Sequence, residues 1–133
     1  MTFPLYDYVN ESGENEFKSW TSQLQTKERA KLNEKLDKLT LHGDELYPQM
    51  LTGTSVSGIQ KLRVHGQVQL RPLLCKGPLL NNGVLEEAYT LLMGAKEVGS
   101  AWKPADAPQK ANNKKQAVIE SKGGRRQSHE RVR

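Results

Sequence analysis

The sequence predicts one small α+β domain, because the spacing of its apolar residues changes along the chain. Between residues 14 and 43, apolar side chains recur every three or four residues, which is typical of amphipathic helices. Between residues 59 and 95, apolar and polar residues alternate in two segments and a third segment is mostly hydrophobic, which is typical of strands. A helical hairpin followed by a strand meander predicts a small antiparallel sheet packed on one side by the two helices. The length of 133 residues fits one domain rather than two.

The N-terminal part predicts one strand and two helices. The segment 3–9 is short, aromatic and β-branched, so it predicts a first strand or an extended arm. The second helix is predicted to begin at a Thr26 cap and to stop at Gly43. The apolar faces of the two helices are Phe17, Trp20 and Leu24 in the first, and Leu32, Leu36 and Leu39 in the second.

Three further strands are predicted at 59–65, 67–75 and 87–95. Pro72 lacks an N–H group, so its place in the second of these strands predicts an edge position or a bulge. The segments 42–58 and 98–108 are rich in Gly, Pro and Ser and are predicted to be loops.

A weak helix is predicted to follow Pro108, which suits a first helical turn. From Ser121 onward the composition is Gly, Arg, Ser, Gln and His, which predicts disorder. The predicted organisation is therefore a folded domain at 1–108 and a basic helix and tail at 109–133.

Charge is distributed unevenly along the chain. The formal net charge is +5, yet residues 109–133 carry eight Lys or Arg against two Glu, a net charge of +6. Residues 1–108 therefore carry a net charge of −1. A basic tail raises affinity for RNA or for an acidic partner, although a solvated tail that aids solubility explains the same composition.

Several classes of protein are disfavoured by composition. Cys75 is the one cysteine, so a disulfide-stapled domain is excluded, and the three histidines do not have zinc spacing. The first residues do not resemble a signal peptide, and no stretch of about 20 apolar residues predicts a membrane span. We expect a cytoplasmic protein without a membrane partner or a cofactor.

The strand pattern predicts a cationic face. Alternation places Lys61, Arg63 and His65 on one side of their strand, and Arg71 on the same side of the next strand. Fixed guanidinium groups stabilise the charge that develops on a phosphodiester, and a histidine has a suitable pKa to take the proton of a 2′-hydroxyl. A solvated outer face explains the same alternation, so the pattern leaves both interpretations open.

Five segments carry short motifs in a characteristic order. They are Glu16–Trp20 with Leu24, Arg29–Leu32 with Leu36 and Leu39, Gly58–Val64, Leu70–Leu74, and Leu91–Lys96. In this order they resemble the RelE/ParE toxin superfamily, especially its HigB-like, phage-derived branch. The first is similar to the opening-helix motif Phe-x-x-Trp-x-x-x-Leu, and the third to the strand motif Gly-(Val/Leu)-x-Glu-Leu-Arg-(Ile/Val). The resemblance covers residues 14–111.

The resemblance implies the toxin of a type II toxin–antitoxin system, held in check by a cognate antitoxin. Family members of the RelE and HigB type cut messenger RNA on the ribosome, so the leading hypothesis is a metal-independent, ribosome-associated mRNA endonuclease. By position, Arg63 and Arg71 match two strand arginines of the family and Lys96 approximates the lysine after the last strand. These three would contact the scissile phosphate, with His65 as a further catalytic candidate. The RNA-binding candidates are Lys61, Lys114, Lys115, Arg125 and Arg126.

The chain departs from the family pattern at positions near this site. Lys61 replaces a glutamate, Leu70 and Leu74 replace aromatic residues, Pro72 interrupts the second strand motif, Ala95 replaces a phenylalanine, and Glu97 stands where a second lysine is often found. These departures favour a second hypothesis, a catalytically inactive RelE/ParE-like binding module. Such a module would inhibit gyrase or would be a phage protein that binds a host component. A structural protein with a nucleic-acid-binding tail is a third interpretation.

Overall fold

The computed structural model describes residues 2–132, which form three helices and eleven short strands. The helices are α1 (Glu16–Ser22), α2 (Thr26–His42) and α3 (Ala107–Glu120), with a 3₁₀ helix at Gly43–Leu46. The strands are β1 (Leu5–Tyr8), β2 (Leu51–Gly53), β3 (Gln60–Leu62), β4 (Gln69–Leu70), β5 (Leu73–Lys76), β6 (Leu80–Asn81), β7 (Val84–Leu85), β8 (Tyr89–Met93), β9 (Lys96–Val98), β10 (Ala101–Lys103) and β11 (Arg126–Ser128). The α+β class predicted from the sequence is confirmed, and two helices, α1 and α2, lie in the region of the predicted helical hairpin.

The main sheet has six strands in the order β11-β1-β8-β5-β3-β2. Its neighbouring strands are antiparallel except β1 and β8, which run parallel with Leu5 opposite Tyr89. The sheet is therefore mixed, whereas an antiparallel sheet was predicted. The long connection through the helical hairpin explains the difference, because a parallel pair requires a crossover and an antiparallel pair does not.

Helices cover both faces of the sheet, so the molecule has two clusters of buried apolar residues. The side of the sheet that α1 and α2 cover is called here the hairpin side. Its cluster includes Phe17, Leu32, Leu36, Leu39, Leu62, Leu70, Leu74, Tyr89 and Leu91. On the α3 side, the cluster comprises Tyr8, Ile59, Leu73, Cys75, Leu92, Met93, Ala95, Ala107, Ala111 and Val118. The prediction of a sheet covered on one side was therefore wrong. Every residue of β8 is buried, as expected for a strand covered on both faces.

The two predicted loops contain short strands. The segment 42–58 contains the 3₁₀ helix and β2, and the segment 98–108 begins with the end of β9 and contains β10. Strands of three residues are too short to show a reliable alternation in sequence. The predicted strand at 67–75 is split into β4 and β5, and Pro72 lies between them and accepts a hydrogen bond from the Leu62 N–H.

The C-terminal segment is also ordered, which differs from the disorder predicted after Ser121. Strand β11 pairs antiparallel with β1, and Val132 is buried in the cluster on the hairpin side. Helix α3 contributes Ala111 and Val118 to the other cluster. Residues after 108 thus complete the same two cores as the rest of the chain. Their polar composition hid this, because β11 is held by backbone hydrogen bonds and ion pairs rather than by apolar burial.

Gly94 is the point at which α1 approaches the sheet most closely. A Cβ atom on Gly94 would lie 1.9 Å from Cδ2 of Trp20, so the indole packs directly on the backbone. We expect Gly94→Ala to lower the free energy of unfolding by about 1–3 kcal/mol, because overpacking forces the indole or the strand to shift. Urea denaturation measures this change.

Gly53→Ala is the matched control, since a Cβ at Gly53 would meet no described heavy atom within 4 Å. It is expected to change stability by less than about 0.5 kcal/mol. Equal losses in the two variants would contradict the close contact between Trp20 and Gly94.

Candidate functional site

The two arginines of the predicted site each come directly after a short strand, Arg63 after β3 and Arg71 after β4. The structure nevertheless gives these two arginines different surroundings.

Arg71 is buried and is held by three acceptors. Its Nε donates to Oε1 of Glu97 at 2.9 Å, its Nη1 to the Leu70 carbonyl at 2.9 Å, and its Nη2 to Oε1 of Gln69 at 3.1 Å. Lys61 Nζ donates to the same Glu97 oxygen at 2.7 Å. The side chains of Arg71, Lys61 and Glu97 are 9%, 16% and 19% exposed. Two of the predicted cations therefore share one carboxylate and do not form an open anion site.

Glu97 is ionised because of these neighbours. Burial alone would raise the pKa of its carboxyl group, but the hydrogen bonds and charges of Lys61 and Arg71 outweigh burial and lower that pKa. The register of β4 and β9, in which Gln69 lies opposite Glu97, brings this carboxylate beside Arg71. That register became visible only with the strand pairing.

His65 and Arg71 belong to one polar network through Gln69. Oε1 of Gln69 lies 3.1 Å from Nδ1 of His65 and accepts from Arg71, so the glutamine connects the exposed imidazole to the buried guanidinium. Arg63 is not part of this network. It is partly exposed and donates to the Gln49 carbonyl at 3.1 Å.

Lys96 lies on the other side of β9 from Glu97, because neighbouring residues of a strand face opposite ways. It therefore does not join Arg63 and Arg71. In the ladder between β9 and β10, Lys96 lies directly opposite Lys103, so two ammonium groups extend from the same face. Sequence reasoning missed Lys103, since it lies in a segment predicted to be a loop.

Two of the RNA-binding candidates in the tail are engaged in the fold. Lys114 contacts Oε2 of Glu16 at 3.1 Å and lies 5.0 Å from the ring centre of Tyr8. Arg126 forms a two-point ion pair with Glu86 and stacks on the ring of Tyr6 at 4.0 Å.

Lys115 and Arg125, the remaining tail candidates, form no ion pair within residues 2–132. They lie on different surfaces, because Lys115 lines a groove beside β6 and β7 whereas Arg125 borders a shallow cavity beside Tyr8. The basic residues of the tail therefore do not form one continuous cationic patch.

A groove of about 1120 Å³ lies between α3 and the hairpin of β6 and β7. Loop residues 53–58 and the start of β3 form its other wall. Its large apolar side chains Tyr47, Leu80, Leu85 and Ile119 are between 39% and 66% exposed. Lys115 and Lys122 lie on the α3 side, and both are without an ion pair in the described part of the chain. The groove, not predicted from the sequence, thus combines an apolar floor with a cationic rim.

One end of the groove is polar. The Tyr89 hydroxyl donates to Oδ1 of Asp44, and Lys76 donates to Oδ2 of the same carboxylate at 3.0 Å. Burial would raise the pKa of Asp44, but these two partners lower it, while burial and Asp44 together raise the pKa of Tyr89. Oε1 of Gln60, another groove residue, is buried and has no hydrogen-bond partner among residues 2–132.

The described chain, residues 2–132, contains no group of three His, Cys, Asp or Glu side chains placed to hold a metal ion. Cys75 lies in the apolar cluster on the α3 side, where burial raises the pKa of its thiol to about 12. That thiol is inert at neutral pH, because the reactive form of cysteine is the thiolate.

Comparison with known proteins found no match to a protein-family model, a curated protein or a solved structure. Among residues 2–132, none of the helices has the length and apolar character needed to cross a bilayer. The fold and the site define an α+β protein in which Glu97 pairs with two of the predicted cations, Lys61 and Arg71, and in which an apolar groove is open to solvent.

Replacing Glu97 with Gln is expected to lower the free energy of unfolding at pH 7 by about 1.5–3 kcal/mol, because Lys61 and Arg71 lose their common anion. The pKa of Glu97 lies below its ordinary 4.5 in the folded protein. The contribution of the ionised Glu97 to the free energy of unfolding is therefore complete above pH 4.5. It is lost as the pH falls through the pKa of Glu97 in the folded protein. Urea titrations at several acidic pH values should show a shallower loss of stability in Glu97→Gln than in the wild type.

Glu34→Gln serves as the control, since Glu34 pairs with Lys38 on the exposed surface of α2. It is expected to cost less than about 0.5 kcal/mol. A similar effect from both substitutions would contradict the central position of Glu97.

Proposed function

We propose that this chain is a RelE/ParE-like protein that acts by binding a protein partner rather than by cutting RNA. The observation that carries the proposal is the groove beside α3, where Tyr47, Leu80, Leu85 and Ile119 are exposed together. Folded proteins rarely leave several large apolar side chains exposed in one concavity unless a partner covers them. The partner would be a host component, and a cognate antitoxin would restrain the protein in the cell.

The rim of the groove indicates the chemistry of that partner. Lys115 and Lys122 lie on the α3 side, whereas Asp44 at the opposite end already contacts Lys76 and Tyr89. A segment with apolar side chains on one face and acidic residues toward α3 would complement this distribution. Buried anchors would supply most of the affinity, and the lysines would favour the correct orientation.

The contacts of Glu97 argue against catalysis by the two arginines. A phosphodiester transition state needs cations that are free to meet its developing charge. Arg71 and Lys61 already share a carboxylate, and Arg71 is nearly inaccessible to solvent. Recruiting them would require that partly buried ion pairs break, which is energetically costly.

Expression in bacterial cells tests the binding proposal. We expect expression to slow growth. Leu85→Asp and Ile119→Asp are each expected to restore colony counts at least about tenfold, because a charge placed in an apolar contact weakens binding of the partner. Val98→Asp is the control, because Val98 is also an exposed apolar residue but does not line the groove. Measurements of translation and of DNA-damage signalling would distinguish a gyrase inhibitor from a protein that binds another host component. Toxicity that survives both groove substitutions but disappears in Arg63→Ala would overturn the proposal.

RNA cleavage is the second candidate function, and it is favoured by the link from His65 through Gln69 to Arg71. A cavity beside this histidine is lined by Lys27 and Lys31, and neither lysine forms an ion pair among residues 2–132. His65 could take the proton of a 2′-hydroxyl while lysines near it hold the RNA backbone.

Incubation with translating ribosomes tests this second candidate. If it is correct, the wild type cuts messenger RNA, and His65→Ala lowers the cleavage rate by about 10²-fold or more because the general base is lost. Arg63→Ala and Arg71→Ala should also slow cleavage. His42→Ala is the control, since His42 is an exposed residue at the end of α2. Messenger RNA that stays intact with the wild type would reject the candidate.

A further inference from the structure

Lys115 extends across the groove beside α3 and reaches its opposite wall. A Cβ atom placed on Gly58 would lie 2.6 Å from Nζ of Lys115, so the ammonium group lies against the backbone of the loop that follows β2. Gly58 has φ 82°, a left-handed conformation that favours glycine. Because glycine has no side chain, this loop leaves the room that the ammonium group occupies.

The position of Lys115 on α3 explains why its charge is partly buried. Ala111 and Val118, one turn before it and one turn after it, belong to the buried cluster on the α3 side. Lys115 lies at the border of that buried face and is only partly exposed. Ile119, four residues farther along, lies next to Lys115 on the groove side and is 39% exposed. The helix thus presents an ammonium group and an apolar side chain beside each other.

No carboxylate among residues 2–132 pairs with the ammonium group of Lys115. Asp44, a carboxylate at the polar end of the groove, already accepts hydrogen bonds from Lys76 and Tyr89. Lys122, at the end of α3, is likewise without an ion pair in this part of the chain. The groove therefore carries positive charge that an anion on another molecule would neutralise.

Covering the groove raises the energetic cost of this charge. Lys115 is partly exposed to solvent while the groove is open, and an apolar segment packed on Leu80, Leu85 and Ile119 would exclude that solvent. Burial of an ammonium ion without a partner is costly, whereas a carboxylate that contacts the ion offsets the cost. A segment without an anion at this point would therefore be rejected even if its apolar side chains fitted the groove.

We infer that the partner segment carries a carboxylate that pairs with Lys115 beside Gly58, flanked by apolar side chains that pack on Leu85 and Ile119. The inference rests on the proposed docking function of this groove and adds the residue that selects the partner. Charge complementarity supports an acidic anchor, because neither groove lysine of the α3 side has an ion pair among residues 2–132. Lys115 fixes the position of the anchor between the two walls, and the exposed Lys122 attracts it from a distance.

Selection of a random dodecapeptide library on the full-length wild-type chain tests the inference. Peptides that occupy the groove are recognised because Leu85→Asp removes their binding. We expect these peptides to share an aspartate or glutamate flanked by large apolar residues. Selection on Lys115→Glu is expected to replace that acid with lysine or arginine. Selection on Lys110→Glu should retain the acid, since Lys110 is exposed on α3 and does not line the groove.

Affinity measurements with one enriched peptide determine whether the two charges meet. Lys115→Gln in the protein and replacement of the peptide's acid by its amide should each weaken binding about tenfold, because a charge-assisted hydrogen bond is lost. The two changes together should weaken binding little more than either alone, since both remove the same contact.

Gly58→Ala should also weaken binding of this peptide, because the added Cβ would displace the ammonium group of Lys115. Gly13→Ala is the matched control, since Gly13 has φ 80° but a Cβ there would meet no described heavy atom within 4 Å. Equal affinities of these two variants for the peptide would contradict the placement of the anchor beside Gly58.

The outcomes separate this inference from the docking function on which it rests. Groove-binding peptides without a shared acid, or additive losses in the two changes, would overturn the acidic anchor and leave the docking function in place. An absence of peptides whose binding depends on Leu85 would overturn both. Sedimentation of the wild type at increasing concentration is a further measurement. A dimer that Leu85→Asp dissociates would assign the groove to a second copy of this chain and overturn its assignment to a separate protein.

Discussion

The burial of β8 on both faces is the constraint on which the rest of the structure depends. All five residues of this strand are buried, with Tyr89 and Leu91 in one apolar cluster and Leu92 and Met93 in the other. A strand of this kind needs a helical layer on each side, so α3 must cover the face opposite the helical hairpin. That placement creates a groove between α3 and the β6–β7 hairpin. Because β8 pairs with one edge of β1, the other edge is available to β11.

Carboxylates decide what the basic residues can do. Glu97 neutralises Lys61 and Arg71, Glu86 neutralises Arg126, and Glu16 contacts Lys114. Ion pairs of this kind contribute little net stability when desolvation is counted, but breaking one side leaves a charge without a partner. They therefore hold segments in position, and in the C-terminal region they engage Lys114 and Arg126, whereas Lys115, Lys122 and Arg125 form no ion pair among residues 2–132.

The groove beside α3 and the surface along β1 differ in chemistry and lie on different parts of the molecule. The groove is apolar with lysines at its rim, whereas Asp7 of β1 and Asp37 of α2 contact His129 and Arg131 of the C-terminal segment. The RelE/ParE-like interpretation agrees with the helical hairpin and the central sheet, and it stays a proposal.

The sequence by itself determined the elements whose signals are local. Amphipathic spacing located α1 and α2, and Pro108 marked the start of α3. Tertiary structure alone decided which of the predicted cations are free, because the contacts of Glu97 depend on strands 26 to 36 residues apart in the chain. Tertiary structure also decided that the C-terminal segment is ordered. Its polar composition predicts disorder, yet β1 offers an unpaired edge and Asn33 a backbone clamp, and neither is visible until distant segments meet.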